Sequence, residues 1–210
     1  ESLDLYTAVA KEAGIENRDT IKKVVMPYSY GASIASLVRS SGLRRYDVKA
    51  ILKIVDHLLP ITAFLDHISG EAELTPSDAY KWTLPDGFEV NHEYKGANFV
   101  RSGTFTAVIE GTIRTDERKM INALAPNIIH SIDAYHARLI VQEANFEVVP
   151  IHDSFGCHSS NVPELRDIIL RTFKQILDED VMNSILKQLE FEPIDYTPDS
   201  SLVTNHYMFQ

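Results

Sequence analysis

Along the chain the apolar positions recur first at helical spacing, then alternate as in strands, then return to helical spacing. Within residues 1–13, Leu3, Leu5, Tyr6, Val9 and Ala10 follow a helical pattern, with Gly14 as a stop and Asn17 as the cap of the next helix. Residues 18–40 are expected to form one long helix broken near Pro27. Proline removes a backbone hydrogen bond and clashes with the carbonyl four residues back, here that of Lys23. Residues 47–68 read as another amphipathic helix turning Val48, Ile51, Leu52, Val55, Leu58 and Leu59 inward, bent or ended by Pro60. Trp82 and Leu84, the turn Pro85-Asp86-Gly87, then Phe88 and Val90 make a hairpin. Residues 98–113 suggest one or two further strands, with Gly111 as a break. Residues 126–144 read as a helix burying Ile128, Ile129, Ile132, Tyr135, Leu139 and Ile140, with His130 to one side of that stripe. Residues 147–158 form strand, turn and strand. Asn161 then caps a helix carrying Leu165, Ile168, Ile169, Thr172, Phe173, Ile176 and Leu177, with Glu164 in its first turn. Residues 181–190 form a short helix, and the Pro-rich tail from Phe191 is extended with a docked aromatic end.

Composition narrows the class. The chain of 210 residues suits one or two lobes with a real core. The absence of a long apolar run or signal peptide leads us to expect a soluble, intracellular protein. Cys157, the one cysteine, has no internal disulfide partner, which fits a reducing compartment. The formal net charge of −10 runs against a nucleic-acid role, because phosphate backbones favour Lys and Arg. The charge is uneven, however. Residues 15–55 hold Arg18, Lys22, Lys23, Arg39, Arg44, Arg45, Lys49 and Lys53 against Glu16, Asp19 and Asp47.

Two stretches carry candidate chemistry. Residues 150–156 read Pro-Ile-His-Asp-Ser-Phe-Gly, and the β-branched run leading into them sets Asp153 at a tight turn between strands. Mg²⁺ takes hard oxygen ligands, only one or two of them from protein. The commoner fate of a turn Asp is to hydrogen-bond backbone. In residues 18–33, Arg18, Lys22, Met26 and Ser29 fall on one helix face with Tyr30 close by. Two cations one turn apart suit a triphosphate, although Lys22 and Lys23 would ordinarily be a solvated face. Tyr30 beside Gly31 makes a flat platform with close backbone approach, suited to stacking on a base pair. His57 and His67 read as surface or satisfied histidines, and His136 and Arg138 as structural.

These residues resemble the single-subunit, phage-type DNA-directed RNA polymerases. Residues 18–33 look like the fingers helix of that family, motif B, and the His-Asp-Ser-Phe-Gly run like its palm motif C. Residues 82–90 (Trp-Thr-Leu-Pro-Asp-Gly-Phe-Glu-Val) with Glu93, Tyr94 and Lys95 form a third similar block. Residues 126–133 (Pro-Asn-Ile-Ile-His-Ser-Ile-Asp) with His136 form a fourth, and the four stand in the family's order. The His-Asp-Ser turn and Met26 resemble the RNA enzymes more than the family-A DNA polymerases, whereas Pro27 departs from the family's pattern.

The resemblance implies an α+β fold: the palm and fingers portion of a right-hand polymerase, mostly helical, with antiparallel strands around the motif C turn. Its expected segments are fingers helices over 1–75, hairpin and connecting strands over 76–125, palm over 126–190 and a tail over 191–210. It implies template-directed nucleotidyl transfer from ribonucleoside triphosphates with two Mg²⁺ ions. Asp153 would be a metal ligand, and the second carboxylate would come from motif A, which this chain lacks. The chain begins at Glu1 without an initiator Met, as a fragment would. Motif A is therefore expected on a missing N-terminal segment or a second polypeptide, and this chain alone is expected to be inactive. By the same resemblance Arg18 and Lys22 neutralise the departing pyrophosphate, and Lys22 could donate a proton to it. Tyr30, Gly31 and His130 handle the nucleotide, with Tyr30 and His130 near the ribose hydroxyl, and His152, Ser154 and Met26 support them. Asp153 and the pair Arg18 and Lys22 are expected to face one cavity. Template DNA and nascent RNA are the implied partners, with no membrane. The implied setting is the cytoplasm of a phage-infected cell, with an organelle as the other choice. The competing expectation is a nucleic-acid-binding or assembly subunit that keeps the fold without chemistry.

Overall fold

The computed structural model describes residues 5–59, 61–102, 105–151 and 154–195, with 97–102 and 105–114 described as backbone alone. The chain divides into two compact units, Glu1–Glu73 and Leu74–Gln210.

The first unit is helical: α1 (Leu5–Ala13), α2 (Arg18–Ser29), α3 (Ile34–Ser41), α4 (Arg45–Leu58) and α5 (Ile61–Leu74). Gly14, at φ +66°, follows α1, and Asn17 caps α2 by accepting from the Thr20 N–H at 3.2 Å. Val9, Ile21, Val24, Leu37, Val48, Ile51 and Val55 are fully buried in one apolar cluster. The single long helix expected over 18–40 is instead two helices, and the break is not at Pro27. Pro27 lies inside the last turn of α2, where it withholds only one N–H. The helix ends at Tyr30 and Gly31. Gly31 adopts φ +76°, its N–H donates to the Tyr28 carbonyl at 2.8 Å, and the Ala32 N–H donates to the Pro27 carbonyl at 3.0 Å. That pair of bonds is a Schellman motif, which glycine favours because it has no Cβ to clash in the left-handed region. Leu58 and Leu59 are also corrected. Each is 42% exposed, because α4 stops at Leu58 and Leu59 turns to extended backbone, leaving the stripe of Val48, Ile51, Leu52 and Val55.

The second unit opens with the expected hairpin, β1 (Tyr80–Thr83) against β2 (Glu89–His92), with Trp82 opposite Val90. Its turn closes by Gly87 N–H to the Leu84 carbonyl, with Gly87 at φ +83°. A second antiparallel pair follows, β3 (Lys95–Ser102) and β4 (Phe105–Thr115). Gly111 does not break β4. It falls where the register shifts, between the pairs Ala97 with Ile113 and Phe99 with Val108. Helix α6 (Glu117–Glu143) begins well before the expected Pro126. Asp116 caps it by accepting from the Lys119 N–H at 3.1 Å, and its first turns bury Met120, Leu124 and Ala125. Proline reads as a helix start in sequence, but here the packing of those preceding turns wins. Of the expected apolar stripe, Ile128, Tyr135 and Ile140 are buried, whereas Ile129, Ile132 and Leu139 are half-buried.

A short hairpin, β5 (Val149–Ile151) and β6 (Ser154–Gly156), pairs Ile151 with Ser154. A 3₁₀ turn (Ser159–Asn161) then leads into α7 (Val162–Asp178) and α8 (Val181–Gln188). Asn161 stands at the cap position of α7, but its side chain makes no cap bond there; its Oδ1 accepts from Ser160 Oγ instead. At the start of the tail, Phe191 packs edge-on against Tyr80, and Asn183 exchanges two hydrogen bonds with the Ile194 backbone. The aromatic terminus expected to dock lies outside the described residues. The chain is thus mostly helical with small antiparallel sheets, an α+β protein.

Candidate functional site

Helix α2 presents one face to solvent because its branched apolar residues Ile21, Val24 and Val25 fall on the other, and Met26 is the apolar exception on the exposed face. Ile21, Val24 and Val25 are buried, whereas Arg18, Lys22, Met26 and Tyr30 are exposed and Ser29 is half-buried. The Arg18 guanidinium lies 5.2 Å from the centre of the Tyr6 ring. Ser29 Oγ donates to the Met26 carbonyl at 2.7 Å. The Schellman motif follows directly, so Tyr30 leaves the helix at its cap with Gly31 beside it. The structure therefore brings Arg18, Lys22, Met26, Tyr30 and Gly31 together along one face and end of α2.

Behind that end stands a polar link that sequence reading misses. Asp56, in the last turn of α4, accepts from the Tyr28 hydroxyl at 2.8 Å and from Thr62 Oγ1 at 2.8 Å. Its other oxygen accepts from the Thr62 N–H at 3.2 Å, in the first turn of α5, and the two hydroxyls also meet each other. Burial, with Asp56 adding its charge, pushes the Tyr28 phenol above its ordinary range.

In the second unit, His130 is exposed on α6 and Ser154 is exposed at the start of β6. His152 and Asp153, the two residues between β5 and β6, lie outside the described residues. Among the described residues, no three His, Cys, Asp or Glu side chains gather as a metal site.

The helix that carries His130 is fastened from behind by His92, a residue the sequence reading passes over. His92 is buried, its Nε2–H donates to the Met120 carbonyl at 2.8 Å, and its Nδ1 accepts from Asn127 Nδ2 at 2.8 Å. Burial lowers its pKa, in keeping with the neutral tautomer those two bonds require. The signal was present: His92 shares the period-two face of β2 with Val90, and it pairs with Tyr80. Nearby, Trp82 Nε1–H donates to Ser131 Oγ at 3.1 Å, tying β1 to α6.

Arg138 and His136 have the structural roles read for them. Arg138 Nε donates to Asp86 and its guanidinium covers the Phe88 ring, clasping the hairpin turn to α6. The same contact holds the Asp86 carboxyl below its ordinary range. His136 Nε2 bonds the Ile169 carbonyl at 3.2 Å and Thr172 Oγ1 at 3.0 Å, and burial lowers its pKa. Tyr135, also on α6, is pushed up to about 12, by burial first and then by the charge of Glu179.

Comparison with known proteins adds an independent finding. The family profile for DNA-dependent RNA polymerase matches residues 44–205. The match takes in the blocks at 82–95, 126–136 and 150–156 and begins after the α2 stretch. DNA-directed RNA polymerase 1, mitochondrial, of Arabidopsis thaliana is 26% identical over 166 residues, 73% of this chain and 17% of that protein. The mitochondrial DNA-directed RNA polymerase of Mus musculus is 22% identical over 205 residues, covering 84% and 17%. A probable DNA-directed RNA polymerase of Gelasinospora sp. is 32% identical over 99 residues, covering 43% and 12%. The chain spans less than a fifth of the length of these relatives.

Proposed function

This chain belongs to the single-subunit, phage-type family of DNA-dependent RNA polymerases, and from that membership we propose that it is a fingers-and-palm portion of such an enzyme. The reaction is template-directed nucleotidyl transfer from ribonucleoside triphosphates. The observation that carries the proposal is the family match itself, which holds three of the four chemical blocks within the unit Leu74–Gln210. The fourth block is supported by the exposed cationic face of α2. The first unit also exposes Lys23, Arg39, Arg44, Arg45, Lys49 and Lys53, a surface suited to template DNA despite the acidic whole.

In the transfer, a 3′ hydroxyl oxygen bonds to the α-phosphorus while the bond to the bridging oxygen breaks and pyrophosphate leaves. Asp153 is the hard oxygen donor proposed to hold Mg²⁺, which when bound neutralises charge on the attacking and leaving oxygens. The second carboxylate comes from motif A outside this chain, on a preceding segment or a partner polypeptide, so this chain alone is inactive. Arg18 and Lys22 bind the departing pyrophosphate, Arg as a fork and Lys as a point charge and proton donor. Tyr30 and Gly31 give a platform beside the base pair. Tyr30 and His130 supply polar contacts to the ribose 2′-hydroxyl, the group that separates RNA from DNA precursors. The Arabidopsis and mouse relatives are mitochondrial polymerases, which favours an organelle over phage-infected cytoplasm as the setting. Among the described residues no helix is long and apolar enough to cross a membrane.

The test is Asp153→Asn within the complete enzyme. It should lower Mg²⁺-dependent, primer-independent RNA synthesis by about a thousandfold or more, as loss of a group central to catalysis does. Near-normal synthesis would remove Asp153 from the chemistry and favour a nucleic-acid-binding or assembly subunit that keeps the fold.

A further inference from the structure

We propose that Asp56 is a positioning residue for the choice between ribo- and deoxyribonucleotides, acting through Tyr28 on the helix end that presents Tyr30. This rests on the reading of Tyr30 as a residue beside the incoming ribose. It goes beyond that reading by naming what holds Tyr30 in place.

Three observations converge. First, the half-buried Asp56 carboxylate takes three donors, the Tyr28 hydroxyl, the Thr62 hydroxyl and the Thr62 N–H. It therefore locks the end of α2 to the junction of α4 and α5. Second, Tyr28 is itself part of the turn. Its carbonyl receives the Gly31 N–H, and the preceding Pro27 carbonyl receives both the Tyr30 N–H at 3.2 Å and the Ala32 N–H. Anchoring the Tyr28 side chain therefore acts on the backbone that sets the direction of Tyr30. Third, Pro27 leaves room for a lateral anchor to matter. It has no N–H for the Lys23 carbonyl, so the last turn of α2 is tied to the helix body by one bond fewer. The Asp56 bond to Tyr28 holds that turn from the side instead.

The expected effect is selective. Recognition of a 2′-hydroxyl depends on hydrogen-bond geometry, and a displacement of about 1 Å changes it strongly. Arg18 and Lys22 sit on earlier turns of α2, so binding of the triphosphate should change less than the sugar preference.

The experiment compares Asp56→Ala, Asp56→Asn, Tyr28→Phe and Tyr30→Phe in the complete enzyme. One readout is the ratio of kcat/KM for a ribonucleoside triphosphate to that for its deoxy analogue. The other is amide hydrogen exchange at Gly31 and Ala32. Asp56→Ala and Tyr28→Phe should each lower the ratio by about tenfold, within the range of residues that act without touching ligand. They should also speed exchange at both amides by about tenfold. Asp56→Asn keeps one acceptor oxygen for the hydroxyls but sets its NH2 against the Thr62 N–H, so its loss should fall between the parent and Asp56→Ala. Tyr28→Phe removes a single oxygen and keeps the proposal testable where Asp56→Ala fails to fold. An unchanged ratio in Asp56→Ala and Tyr28→Phe, alongside a collapsed ratio in Tyr30→Phe, would overturn the proposal. If Tyr30→Phe leaves the ratio unchanged, the reading of Tyr30 fails and the sugar-choice role falls with it. Faster exchange at Gly31 in the Asp56 variant would then still uphold the anchor.

Discussion

The two units bury different kinds of side chain. In the first, the fully buried residues among those described are all apolar, most of them in the cluster of Val9, Ile21, Val24, Leu37, Val48, Ile51 and Val55, and the polar link between Tyr28, Asp56 and Thr62 is only half-buried. In the second, His92, Ser131 and Thr172 are buried with the apolar core, and the Trp82 indole N–H donates to Ser131. An apolar core requires close packing, but no group in it requires one particular partner. A buried polar group does require one, and leaving it unpaired costs about 1–3 kcal/mol. The first unit sets the cations of α2 outward and half-buries the Asp56 carboxylate. The second uses buried polar bonds to fasten its hairpin to α6.

The largest expected effect tests that contrast at its centre. His92→Ala removes the side-chain donor to the Met120 carbonyl and one of the two acceptors of the Asn127 amide, the other being the Tyr94 hydroxyl at 3.2 Å, and opens a cavity, so the second unit should lose about 2–4 kcal/mol. Urea unfolding followed by Trp82 fluorescence reports on this unit alone, because Trp82 is the one tryptophan. A loss below about 1 kcal/mol would mean that His92 is not a fastening of the kind described.

Next in size is a pH effect. Burial lowers the pKa of both His92 and His136 from the ordinary 6.5. Between the folded value and 6.5 the unfolded chain binds more protons than the native one, so stability rises with pH through that window. The contribution is complete above the unfolded value and is lost as pH falls below it. The urea midpoint read at Trp82 should therefore drop between about pH 7.5 and about pH 5, less steeply in His136→Gln. A flat profile would show that the two imidazoles do not stay neutral on folding.

The smallest effect sharpens the comparison from the other side. Arg171 pairs with Glu143 across α6 and α7, but the Arg171 side chain is 61% exposed. Arg171→Ala should change the unfolding free energy from the same urea titration by less than about 0.5 kcal/mol. A polar contact in the same unit would then matter little once water can replace it.

Whatever depended on near neighbours could be read directly from the residues. Asn17 as a cap, Gly14 as a stop, the Pro85-Asp86-Gly87 turn and the outward face of Arg18, Lys22 and Met26 each follow from a few adjacent positions and one helical or strand period. The family match agrees with three of the blocks that sequence reading picked out. The fourth, the α2 stretch, precedes the matched residues.

Other features depended on groups far apart in the chain. The end of α2 at Gly31 rather than at Pro27, the early start of α6 at Glu117, and the outward turn of Leu58 and Leu59 are settled by what packs where. Tyr28 meets Asp56 and Thr62, and His92 meets Met120 and Asn127, only once helices have come together. Local pattern records which face of an element is apolar. It does not record which distant donor or acceptor will be waiting there, because hydrogen-bond partners are chosen by geometry in space and not by position along the chain.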